Sequence, residues 1–154
     1  MKYSTRRMES MLRQIKDLSL PTPPGMLDLP AETIRERCNG IGSDSGALKY
    51  LVEPTTFVFS WMELLAVSHD IWWSDIYNDG SRERFEQSNR EFEAGAYILA
   101  GRSFSWVWPK ALRESLRSAR RWEGREARRI LMSDKCWAVW SEHADPEPGP
   151  EVMA

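Results

Sequence analysis

The stretch Ser60-Trp61-Met62-Glu63-Leu64-Leu65-Ala66-Val67-Ser68-His69-Asp70-Ile71-Trp72-Trp73-Ser74-Asp75-Ile76-Tyr77 decides the fold class. Trp61, Leu65, Trp72 and Ile76 share one face of a helix. Ala66, Val67, Trp73 and Tyr77 lie beside them, so the helix is apolar over most of its circumference. Such a helix belongs in the middle of a core. Ser60 and Glu63 have the spacing of a capping box, in which the hydroxyl accepts the Glu63 amide and the carboxylate reaches back. A helix is therefore predicted over about 61–77. Asn78-Asp79-Gly80 is a turn, and Ser81 caps a second helix over about 82–99 with the stripe Phe85, Phe92, Ala96 and Leu99. The short connection makes the two helices antiparallel neighbours.

Outward from this pair the chain stays helical. Met8, Leu12 and Ile15 predict a first helix from about Thr5 to Leu18, and Leu20-Pro21-Thr22-Pro23-Pro24-Gly25 ends it as a stiff linker. Pro30 suits a first turn, so a short helix runs from about Leu29 to Arg37. Cys38-Asn39-Gly40-Ile41-Gly42-Ser43-Asp44-Ser45-Gly46 is a loop by composition. After Phe104-Ser105-Trp106-Val107-Trp108, a basic helix starts near Lys110 with Leu112, Leu116 and Ala119 on one side, weakened at Gly124. An apolar stretch, Cys136 to Trp140, precedes a Pro-rich acidic tail. The fold class is mainly α: a compact helical domain around the two antiparallel helices. Its organisation is an N-terminal helix (1–20), a Pro-rich linker with a short helix (21–37), a core (38–100), an aromatic and basic helical extension (101–144) and the tail (145–154).

The length of 154 residues suits one domain, and eight Trp exclude a globally disordered chain. Two Cys, Cys38 and Cys136, exclude a disulfide-stapled scaffold and fit a reducing compartment or one bridge. No apolar run is long enough to span a bilayer, and the charged N-terminus has no signal-like apolar centre, so cytoplasmic synthesis is expected. The formal net charge of −2 hides an uneven distribution. Residues 1–16 carry +4, residues 28–100 carry −7 and residues 110–135 carry +5. The acidic middle and tail make nucleic acid an unfavoured partner. The basic helix, with Arg113, Arg117, Arg120, Arg121, Arg125, Arg128 and Arg129, is the candidate partner surface.

Chemistry concentrates on two polar interruptions of apolar stripes. His69 and Asn89 sit on core-facing sides of the adjacent helices and can meet across them, which is also how two buried polar residues satisfy each other. Asp70 points about 100° away from His69 and could serve a hard cation, with carbonyls of the loop at Asn39, Gly40 and Gly42 as further oxygen ligands.

Four motifs then follow in order: Cys38-Asn39-Gly40-Ile41-Gly42, Leu51-Val52-Glu53-Pro54-Thr55, Ser68-His69-Asp70, and Ser88-Asn89-Arg90-Glu91-Phe92. Over about residues 38–97 the chain resembles the small phage and prophage proteins related to phospholipase A2. The resemblance implies a phospholipase A2-like core and a calcium-dependent ester hydrolase. In it His69 activates water, Asp70 and the glycine loop hold Ca2+, and a second Asp orients the imidazole. The chain departs at two catalytic positions. Asn89 stands where the family has that Asp, and Trp73 where it has a Tyr. Of the nearby carboxylates, Glu93 lies roughly 40° in angle from Asn89's wheel position and Glu91 roughly 200°, which makes Glu93 the substitute. Two functions are therefore expected. The first is a degenerate core serving as a structural or interaction component of a viral assembly, virion-associated, docking other phage structural proteins or its own copies. The alternative is a calcium-dependent phospholipid hydrolase on a membrane surface.

Overall fold

The computed structural model describes residues 3–38, 62–102 and 109–144. Among the described residues there are six α-helices and no strand, so the chain is mainly helical. Helix α1 (Thr5–Asp17) is capped by Ser4, whose hydroxyl accepts the Arg7 amide, and buries Met8, Met11 and Ile15. A 3-10 turn (Met26–Asp28) leads to α2 (Ala31–Arg37), with Pro30 one position ahead of the first turn as its N-cap. Helix α3 (Glu63–Trp72) is followed by α4 (Arg82–Arg102), α5 (Lys110–Leu131) and α6 (Asp134–Glu142).

Contacts run in sequence across the stack: α1 on α2 and α3, α2 on α3, α3 on α4, and α4 on α5. Along α3 and α4 the partners descend one helix as they climb the other. Leu65 meets Gly95, His69 meets Phe92, and Trp73 meets Phe85, so the pair is antiparallel as predicted. The same order holds between α4 and α5, where Glu93 pairs with Arg128 and Tyr97 with Arg125.

Helix α3 stops at Trp72, five residues short of the expected end at Tyr77. Ser74 turns its hydroxyl back to the Ile71 carbonyl at 2.7 Å, the local bond with which serine competes against helix. Tertiary bonds then draw the chain away. Tyr77 donates to the Pro24 carbonyl at 2.7 Å and Asn78 Nδ2 to the Trp140 carbonyl at 2.9 Å. The N-cap of α3 is Met62 with no side-chain cap, and Ser60 and Trp61 lie outside the described residues. The Glu63 carboxylate accepts from Arg7 Nη2 at 2.9 Å, tying α3 to α1.

The apolar interior has two centres. The larger joins Met8, Met11, Ile15, Ile34, Leu65, Val67, Ile71 and Trp72. The smaller is Phe85, Cys136 and Trp140, and Trp73 packs against both. Three T-shaped contacts hold the smaller one: Trp140 on Trp73 at 5.3 Å, Phe85 on Trp137 at 5.2 Å and Phe85 on Trp140 at 5.7 Å between centroids. The Arg82 guanidinium lies over both Phe85 and Trp137. Cys38 and Cys136 are buried free thiols, so the optional bridge is not formed.

Gly124 does not break α5, because it is where α5 closes on α4. A Cβ there would stand only 2.7 Å from the Ala96 Cβ. The helix keeps the glycine despite its poor propensity because the two backbones need that approach. Gly124→Leu is expected to destabilise by about 1–3 kcal/mol through overpacking. Gly101→Ala, where an added Cβ meets nothing within 4 Å, is expected to be neutral or to stabilise by up to about 1 kcal/mol. Paired denaturant melts at constant pH distinguish the two.

Candidate functional site

Helix α3 buries His69 and α4 buries Asn89, and the two side chains meet. His69 Nε2 lies 3.2 Å from Asn89 Oδ1. Asn89 Nδ2 donates to the Phe85 carbonyl at 2.9 Å, which leaves its oxygen for the imidazole. The network therefore places the proton on His69 Nε2, which donates to Asn89, and makes Nδ1 the acceptor nitrogen. The ring is boxed by Trp73 and Phe92, each at 5.4 Å between centroids.

Burial pushes the His69 pKa down to about 4, and the Asn89 hydrogen bond only partly opposes it. An imidazolium here would lie in an aromatic box facing an amide that can accept a hydrogen bond but carries no charge. The residue is a neutral histidine across the ordinary pH range.

Beside the ring is a cavity of about 10 Å³, bounded by Ser68, Ser88, Glu91, Phe92 and Pro21 as well as His69. That is room for a single water. The Ser68 hydroxyl is buried there without a hydrogen-bond partner. The carboxylate at this crevice is Glu91, not the expected Glu93. Glu91 accepts from Trp72 Nε1 at 2.8 Å and from Gln87 Nε2 at 3.1 Å. Glu93 is drawn the other way, into a 2.8 Å ion pair with Arg128 of α5. Wheel geometry favoured Glu93, but it could not foresee that Trp72 would offer Glu91 an indole N–H and α5 would offer Glu93 a guanidinium.

Asp70 lies toward Tyr3 and Cys38, on a different side of α3 from the His69–Asn89 pair. Its charge is felt at Cys38 and at Tyr3, whose phenol is pushed up first by burial and then by Glu63. The Cys38 thiol sits 3.7 Å from the Val67 carbonyl, and burial pushes its pKa up too. Cys38 thus stands on the Asp70 side of α3, and the chain continues from it into Asn39. Asn39, Gly40 and Gly42 themselves lie outside the described residues. Among the described residues no three His, Cys, Asp or Glu side chains converge as a metal site.

The seven arginines of α5 do not form one solvated face. Arg128 is held by Glu93, Arg125 donates to Tyr97 Oη at 2.7 Å, and Arg117 and Arg129 pair with Glu114 and Glu126 on their own helix. Arg113, Arg120 and Arg121 are half-buried, and only Arg125 and Arg129 are exposed. Sequence spacing placed basic residues on all of this arc but could not show that part of it packs toward α4. No helix among the described residues is long and apolar enough to cross a membrane.

Comparison with protein-family models, with curated proteins and with solved structures returned no match.

The His69 pKa falls from an ordinary 6.5 to about 4 on folding, so the unfolded chain takes up a proton that the folded chain refuses. This contribution to stability is fully present above the unfolded value and is lost as pH falls through the window between the two. Unfolding free energy is expected to drop by about 2 kcal/mol between pH 7 and pH 5, and His69→Gln is expected to flatten that slope. The lowered Asp75 and Asp79 carboxyls act in a separate window, below the ordinary carboxylate range. Asn89→Asp is expected to raise the His69 pKa, read by NMR titration of the imidazole.

Proposed function

We propose that this chain is a non-catalytic interaction component of a phage-type assembly, built on a degenerate phospholipase A2-like core. The observation that carries this reading is the neutral His69–Asn89 hydrogen bond inside its box of Trp73 and Phe92. A general base must accept a proton and survive as a cation in the transition state. Here the partner is an uncharged amide, and burial has already moved the imidazole far from the working range. The cavity at the ring has room for about one water. Trp73, at the place of the family's Tyr, turns into the Phe85–Trp140 cluster and works as core. His69 and Asn89 are on this reading a satisfied polar pair that sets the register of α3 against α4.

A second reading, the calcium-dependent phospholipid hydrolase, is favoured by one feature. Cys38, which precedes Asn39 in the sequence, stands on the Asp70 side of α3. Asp70 and carbonyls of Asn39, Gly40 and Gly42 would hold the cation, which would supply Lewis-acid polarisation of an ester carbonyl.

A phospholipid-release assay over a calcium titration decides between them. The interaction reading expects no calcium-dependent turnover from the wild-type chain. Turnover by the wild type that disappears in His69→Ala would overturn it. Turnover gained only in Asn89→Asp would instead mark a decayed site and leave the interaction reading standing.

A further inference from the structure

Helix α5 carries a second pattern that packing against α4 engages only at Arg125, through its bond to Tyr97 Oη. Ala111, Ser115, Ser118, Trp122, Arg125 and Arg129 line one face of the helix at alternating spacings of four and three, the positions a second helix would lie along. All six are exposed, and Trp122 is 56% exposed, the most open of the large apolar side chains described. The buried edge of α5, with Gly124 and Leu131, lies on the other side.

The seam is graded in size. Its N-terminal half is small (Ala111, Ser115, Ser118) and its C-terminal half is large (Trp122, Arg125, Arg129). A parallel copy would oppose Arg to Arg and leave the small half unfilled. An antiparallel copy places the large half of each helix over the small half of the other. Charge agrees with that register. Glu114 and Arg125 lie equally far from the point midway between Ala119 and Arg120, and they share one flank of the seam, roughly 20° apart on the wheel. A two-fold axis through that point sets Glu114 of each copy against Arg125 of the other and lays Trp122 on Ser115 and Ser118. A closed, isologous pair of this kind is the commonest form of oligomer.

We propose that the exposed face of α5 is a homodimer interface, occupied by α5 of a second copy in antiparallel register, with Trp122 as its anchor. This deepens the interaction reading by naming the partner, and it does not depend on whether the His69 site turns over substrate. Trp and Arg are the residues that most often carry interface energy. The ion pairs across the flank fix register and orientation more than affinity. A single helix pair is a small interface, so a concentration-dependent equilibrium is expected rather than an obligate dimer.

Sedimentation velocity of the full chain over a concentration series tests this. The expected result is a shift from 17.9 kDa to twice that mass. Trp122→Ala is expected to weaken dimerisation roughly tenfold or more, with unchanged far-UV circular dichroism. Arg125→Glu is expected to weaken it as well, and the exchanged double variant Glu114→Arg with Arg125→Glu is expected to restore it. A chain that stays monomeric at every concentration overturns the proposal, including one whose Trp122 serves only to bind anionic vesicles. So does a Trp122→Ala variant that dimerises like wild type, or a double variant no tighter than Arg125→Glu alone. None of these outcomes bears on calcium-dependent turnover, so the two readings fail separately.

Discussion

The hydrogen bond from His69 Nε2 to Asn89 Oδ1 is the constraint around which the helices are arranged. Two polar side chains are buried at the centre of the α3–α4 contact, and each is tolerable only because the other is there. Removing either partner leaves the other unsatisfied, at a cost of about 1–3 kcal/mol. Sliding one helix along the other would strand both. The pair is therefore a register pin, and Leu65 against Gly95 and Trp73 against Phe85 fall into place on either side of it.

Two consequences follow for the rest of the molecule. Trp73 packs on His69 from the end of α3 and also meets Trp140 of α6, so the polar pin and the C-terminal helix share one aromatic wall. On the far side, α4 is held to α5 by the close approach of Ala96 and Gly124 and by the Glu93–Arg128 ion pair. That ion pair takes away the carboxylate that sequence geometry placed nearest to Asn89. On the interaction reading, Glu91 and Glu93 serve to hold helices together, through Trp72 and Arg128, rather than to assist His69.

Much of this was legible from residues alone. An apolar run around most of a helix says that α3 is central, and the Asn-Asp-Gly turn says that α4 folds back on it. The coincidence of His69 and Asn89 on core-facing stripes predicted their meeting, since buried polar groups must find partners. Helix ends were less legible. Ser74, Tyr77 and Asn78 read as a continuation of α3 by apolar period, but their bonds to Ile71, Pro24 and Trp140 win. Gly124 read as a weak point in its helix, because propensity is a local property and the reason for the glycine lies on another helix.

By itself, the sequence determined the helical class, the antiparallel pair and the identity of the polar pin, because each depends on periodicities that a chain carries along its own length. Only the tertiary structure decided what each carboxylate and guanidinium does. Glu91 goes to Trp72, Glu93 to Arg128, Glu63 to Arg7, Arg125 to Tyr97 and Arg129 to Glu126, while Trp122 is left exposed on the surface. Long charged side chains reach whatever lies within several ångströms of their tips, and those neighbours come from helices far apart in sequence. No spacing rule along one helix can choose among them.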